Sequence, residues 1–460
     1  MQSFPQVAAN PFGTTRRKLA YRSQMELRFD DSWIAAEAAR TAERWNSCVN
    51  LPMPPAPLYG AAEHARRESA FDRSLAVVER EIKRAPRNKT GRLAMQDRLV
   101  SSFGSFAAAA LDLRDEAIHL ITNEFLPAGT QLARWARRFD PSLSRPDIVQ
   151  ACRNAWTACG LQPLLGEPIG ITPSILGYSL LYPYTDNYLD RPEVSADAKL
   201  QFSARFRQRL RGAEIEPLNR RETALWALVE LIEGQFPREL FPQVFDSLLA
   251  IHGAQEASIA QLRRDALVDH AEVLRISCAK GGSSVLADAC LARGWLREEE
   301  ARFSFAWGVL LQLGDDLQDL REDLERGSAT IFSRAASQSK PLDAAAIQLL
   351  NMSESVVAEM AGLPNASKML KNLLQMSWRS LIIGAVANAP AFFSPGFLTE
   401  AEARSPFRFA FLRERQKKLA SRAGLYEAMF SAFIESQEES DSSPSLAKCE
   451  LPATSAMASA

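Results

Sequence analysis

Three aspartates in the stretch "LLQLGDDLQDLREDLERGSATIF" (310–332) recur every four residues: Asp315, Asp319 and Asp323. On an α-helix that spacing sets them in one stripe along one face. With Asp316 and Glu322 they place five acidic side chains within nine residues, directly behind the apolar run "FAWGVLLQLG". Carboxylates held so close repel one another unless a cation sits among them, and Mg²⁺ prefers carboxylate oxygens while keeping positions open for phosphate. The chain has 55 acidic residues in 460, so such a triplet arises by accident about once per chain of this length. A solvated helix face with Arg321 and Arg326 as salt-bridge partners accounts for it equally well. Position favours the metal: the stripe begins where the apolar run ends.

A second acidic cluster strengthens that choice. In "GYSLLYPYTDNYLDRPE" (177–193), Asp186 and Asp190 are again four apart and again follow an apolar, aromatic stretch, 129 residues before Asp315. Two such helices side by side would point five carboxylates into one mouth. That mouth could bind several Mg²⁺ ions and, through them, a diphosphate leaving group, whose charge the metals would draw off.

The elements that must position these residues are helices. Alternating runs rich in Val, Ile and Thr are absent, and helical periodicity is expected over 31–47, 66–84, 93–122, 128–138, 146–160, 196–211, 219–236, 240–263, 266–293, 297–326, 342–361, 366–388 and 399–433. The cluster "LPMPPAPLYG" (51–60) separates an N-terminal arm, and the closing "SQEESDSSPSLAKCELPATSAMASA" reads as a disordered tail. The expected fold is all-α, with an N-terminal helical extension (1–125), a catalytic domain (126–434) and the tail (435–460).

Composition excludes several functions. A net charge of −1 draws the chain neither to nucleic acid nor to an anionic membrane. No apolar run has transmembrane length, and the N-terminus lacks the apolar core of a secretory signal, so a cytoplasmic protein is expected. Six cysteines without a CxxC pair read as reduced, and four scattered histidines make a zinc site improbable. No GxSxG, Walker loop or GxGxxG stands out.

With both acidic clusters in view, the chain resembles the class I isoprenoid (terpenoid) synthase superfamily over roughly residues 145–395. "DNYLD" looks like DDxxD, and "LQLGDDLQD" like the FQxxDDxxD of prenyltransferases. Extended through "LREDLERG", the second motif is similar to squalene and phytoene synthases, and its register fits the (N/D)DxxSxxxE pattern of terpene cyclases. The resemblance implies an isoprenoid synthase helical bundle that acts on a prenyl diphosphate, uses three Mg²⁺ ions and allows a homodimer. It gives Asp186 and Asp190 to two metals and Asp315, Asp319 and Asp323 to the third, with Asp186, Asp190, Asp315 and Asp319 as the catalytic set. Lys280, 35 residues before Asp315, resembles the lysine that donates to the diphosphate, and Tyr182, Asn187, Gln312 and Asp316 join it as substrate-binding candidates. "GGSS" (281–284) is expected to break its helix, as in terpene cyclases.

The departures carry information. Asn187 replaces the second aspartate of DDxxD, the RRG that elongating enzymes carry after it is missing, and no GGKRxRP-like stretch is found. Ordinary chain elongation is therefore disfavoured. Trp156, Tyr178, Tyr182, Phe305 and Trp307 lie on or near the expected pocket helices. Aromatic faces stabilise a carbocation by roughly 0.5–2 kcal/mol each, although core packing alone also explains each ring. Tyr182, four residues before Asp186, is expected one turn deeper on the same face if Pro183 leaves the helix regular, and the resemblance to chain-elongating enzymes implies that it forms the floor of the prenyl pocket. The expected activity is a Mg²⁺-dependent terpene synthase (a lyase). The alternatives are a prenyltransferase, joining chains head-to-head or elongating them, and a non-catalytic helical binding protein.

Overall fold

The structure is a computed structural model that describes residues 27–421 apart from 85, 87, 190, 192 and 259–268. It is all-α, with no strand among the described residues. The N-terminal helices are α1 (Asp31–Ser47), α2 (Ala61–Lys83), α3 (Lys89–Leu111) and α4 (Asp115–Leu120). Next come α5 (Leu126–Phe139), α6 (Arg145–Leu165), α7 (Pro173–Ser179), the single turn α8 (Asp186–Leu189), α9 (Ala196–Leu210), α10 (Arg220–Gln235) and α11 (Pro242–Ser258). The remainder are α12 (His270–Arg293), α13 (Glu298–Gln318), α14 (Leu320–Arg326), α15 (Ile331–Ser337), α16 (Asp343–Glu359), α17 (Lys368–Asn388), α18 (Pro395–Ala403) and α19 (Phe409–Ala420).

Side-chain chemistry sets many of these bounds. Asp30 caps α1 by accepting from the Trp33 amide at 2.9 Å. At α6, Ser144 and Asp147 form a reciprocal capping box with Pro146 in the first turn. Asp112, in the left-handed region at φ 53°, ends α3 and divides the helix expected over 93–122. Gly327, at φ 74°, stops α14 while the Ser328 amide returns to the Asp323 carbonyl at 2.8 Å. The short helices α7, α8 and α15 escape periodicity because one or two turns hold too few apolar positions to show a face.

The buried α12 lies at the centre, flanked by α13, α11, α6, α1 and α7, while α17 and α16 cover the far side of α13. Its "GGSS" does not break it: α12 runs unbroken through Gly281 and Gly282. The glycines serve a close antiparallel crossing instead. A Cβ on Gly308 of α13 would stand 2.0 Å from the Gly281 carbonyl oxygen, and one on Gly282 would stand 2.4 Å from the Phe305 ring.

The segment expected as one N-terminal extension divides its packing. Ile34, Ala38 and Trp45 of α1 belong to the main core. The α2–α3 hairpin instead builds a small separate core with the C-terminal part of the chain, from Ala70, Ala110, Phe407 and Phe411. Arg415 ties that hairpin down with a bidentate pair to Asp72, at 2.7 and 2.8 Å. No helix among the described residues is long and apolar enough to cross a membrane.

Candidate active site

The stripe predicted from the second motif sits where α13 passes into α14. The helix loosens at Asp319, yet the i to i−4 bonds continue through it: the Asp319 amide reaches the Asp315 carbonyl, and the Asp323 amide the Asp319 carbonyl, each at 2.8 Å. The three carboxylates therefore stay in electrostatic contact. Desolvation first, then the Asp319 charge against the attraction of Arg153 and Lys280, leaves Asp315 raised to about 6. Its side chain keeps 47% of its surface, so this is a carboxylate crowded by its neighbours rather than one sealed from water. Asp323 is likewise raised to about 6 by desolvation and then by Asp319 and Glu322. Asp319 is raised for the same two kinds of reason, burial and the Glu322 charge.

Asp316 has a different environment. It is 6% exposed and turns between α12 and α13, where Gln312 Nε2 donates to Oδ1 at 2.8 Å and Ser277 Oγ to Oδ2 at 3.2 Å. Desolvation raises it to about 7. Gln312 is thus committed to Asp316 and positions it from one turn away on the same helix.

Two cations reach Asp315 from other helices. Arg153 of α6 stands 3.9 Å from its Oδ1. Lys280 of α12, half-buried, acts on both Asp315 and Asp316, and forms no ion pair within 4 Å among the described residues. Arg153 was not legible beforehand, because a lone arginine on a helix of mixed polarity has no spacing to betray it.

The first cluster lies beside the same helix α6. Asp186 begins α8, and the Asn187 amide donates from Nδ2 to Asp147 Oδ1 at 2.8 Å. Asp147 therefore serves twice, since its other oxygen closes the α6 capping box. It stands six residues before Arg153, a rise of about 9 Å along the helix, so the N-terminal half of α6 borders both clusters. Asp190 lies outside the described residues. Tyr182 sits in a run of turns, 180–185, and the Asn187 amide returns to its carbonyl at 3.4 Å, a five-residue step. The regular helix that would put Tyr182 one turn below Asp186 is absent, as expected of a segment holding Pro183.

The aromatic candidates divide. Trp156 is 45% exposed and overturns its expectation as a pocket wall; its indole covers Gly129 on the outside. Phe305 fills the α12–α13 crossing and meets Trp33 edge-on at 5.9 Å. Trp307 is buried and packs edge-on against Trp378 at 5.6 Å. Tyr178 donates from Oη to the Ser284 carbonyl at 3.3 Å, and desolvation pushes its phenol well up, although the side chain is only half-buried. Lys280, Ser284, Gln312 and Asp315 are also half-buried on otherwise buried helices.

Among the described residues, no three His, Cys, Asp or Glu side chains converge on one metal position. The donor set nevertheless suits Mg²⁺, which keeps several waters and takes one or two carboxylates together with phosphate oxygens instead of an all-protein cage. Compared with known proteins, the chain matches no family model, no curated protein and no solved structure.

Proposed function

We propose that this protein is a Mg²⁺-dependent class I terpene synthase that ionises a prenyl diphosphate at the mouth formed by α6, α8, α12 and α13. One observation carries the reading: Asp315, crowded by its own acidic stripe, meets Arg153 at 3.9 Å and feels the charge of Lys280, from two other helices. Carboxylates and cations interleaved in this way suit metal-bound diphosphate, because each sign has a partner in the ligand. Asp186, Asp315, Asp319 and Asp323 would hold Mg²⁺, with Asp190 completing the first motif. When bound, Mg²⁺ supplies Lewis-acid stabilisation of the departing diphosphate. Lys280 and Arg153 would grip the diphosphate oxygens, and Tyr178 with the apolar walls would keep water from the allylic cation.

Prenyl transfer is the alternative outcome of the test. The purified protein is incubated with C10 to C25 prenyl diphosphates and Mg²⁺, with and without isopentenyl diphosphate, and products are identified by mass spectrometry. Diphosphate release with a terpene product that isopentenyl diphosphate leaves unchanged is expected. Longer chains would make the protein a transferase, and no release at saturating Mg²⁺ would leave a binding protein. Lys280→Ala should lower kcat/KM by about tenfold or more, with Lys280→Arg only partly restoring it.

A further inference from the structure

The segment that carries the first acidic cluster is too short to hold its own shape. α8 is a single helical turn behind the run of turns 180–185, and closing a first turn is unfavourable unless other contacts support it. Side chains around Asp186 supply that support, each against a different neighbour. Tyr184 Oη donates to Asp140 Oδ2 at 2.8 Å, and Asn187 Nδ2 to Asp147 Oδ1 at 2.8 Å. The Tyr188 ring lies under the Arg221 guanidinium, 3.4 Å from its centroid, with Phe202 edge-on at 5.0 Å.

Asp140 shows how strongly one of these anchors is built. It caps the C-terminal end of α5 and is 4% exposed. Its Oδ1 accepts from the Ser142 amide at 2.9 Å, the Ser142 hydroxyl at 2.6 Å and Arg220 Nη2 at 3.0 Å. Its Oδ2 takes the Tyr184 hydroxyl. Burial alone would raise this carboxyl, yet the hydrogen bonds from Ser142 and Tyr184 and the Arg220 charge hold it below the usual range. Tyr184 therefore meets a carboxylate, which makes a shorter and stronger bond than a neutral acceptor. The ring also packs edge-on against Phe139 at 6.4 Å, a contact that needs no hydroxyl. What the hydroxyl adds is direction.

Asp140 and Asp147 bracket the connection from α5 to α6, and α6 carries the Arg153 that faces Asp315. One corner of the chain thus grips the first cluster at two points and leads directly to the second. We propose that the Tyr184–Asp140 hydrogen bond is a positioning contact that holds α8, and with it Asp186, in register with the second cluster for a shared set of metal ions. The proposal rests on the terpene synthase reading. Tyr184 and Asp140 are positioning residues, acting through Asp186 and not on the substrate.

Mn²⁺, a paramagnetic substitute for Mg²⁺, is titrated into the full chain with inorganic diphosphate, and the free ion is counted by electron paramagnetic resonance. The readout needs no turnover. Wild type should bind Mn²⁺, and Tyr184→Phe should weaken that binding by about tenfold with a melting transition within a few degrees of wild type. Asp140→Asn keeps an acceptor for the hydroxyl and should weaken it by about threefold. In the Asp186→Ala background, Tyr184→Phe should add less than about twofold, because its effect runs through that carboxylate. A purely structural contact would instead lower the melting transition and leave the affinity of the folded protein unmoved. Unchanged affinity in Tyr184→Phe, or in Asp140→Asn should the first variant not fold, overturns the proposal and leaves the terpene synthase reading standing. An undiminished loss in the Asp186→Ala background overturns it as well. Wild type that binds no Mn²⁺ with diphosphate removes both.

Discussion

Asn187 shows how one side chain can decide what its position is for. The resembled motif carries aspartate there, but here the amide donates to Asp147, which is already engaged in capping α6. An aspartate would remove that donor and set two carboxylates in contact. Asn187→Asp should therefore lower the unfolding free energy by about 1–2 kcal/mol at pH 7, read from denaturant melts. A variant as stable as wild type would show that the bond carries no weight. The bond from Asn187 to Asp147 was not legible in the sequence, since it depends on how a chain turn 40 residues away docks.

At the scale of elements, α12 and α13 meet through glycine. Gly308→Ala would press a methyl into the Gly281 carbonyl. Separating two buried helices in this way should cost about 3 kcal/mol, visible as a lower melting temperature; a neutral effect would mean the crossing is looser than described. Elsewhere, α9 and α11 are joined through Glu256, which interacts with His252, Ser203 and Arg207. These hydrogen bonds, His252's foremost, hold the Glu256 carboxyl down at about 2. The folded value lies below the unfolded 4.5, so the unfolded chain binds more protons between the two and stability falls as pH drops through that window. Discounted for partial exposure, Glu256→Gln should cost about 1–2 kcal/mol at pH 7. The gap to wild type should close as pH approaches 2, and a gap constant with pH would contradict this account.

Long periodic helices such as α1 and α17 were legible from their apolar faces, and the acidic stripe from its four-residue spacing. The "GGSS" was read as a break because adjacent glycines weaken a helix by themselves. A tertiary neighbour reversed that reading: Gly308 lies on another element, and only the pairing shows why small residues are needed on both. Trp156 failed for a related reason, since an aromatic on a pocket helix still has an outward face. Asp288 had a visible signal, one acid inside the apolar run "SVLADACLA", but its depth comes only from packing.

The whole molecule places two acidic clusters, 129 residues apart in sequence, beside one half of α6, where Asp147 holds Asn187 and Arg153 faces Asp315. The small core that joins the α2–α3 hairpin to α19 is separate from the main core. The central claim is that both clusters serve one metal-dependent ionisation. Diphosphate release at increasing Mg²⁺ tests it most directly, comparing wild type with Asp186→Ala and Asp315→Ala, each checked for an unchanged melting transition. Wild type should release diphosphate only with Mg²⁺, and each variant should lose at least about a hundredfold in turnover. Near-normal release by either folded variant at limiting Mg²⁺ would make that cluster a solvated helix face and contradict the account.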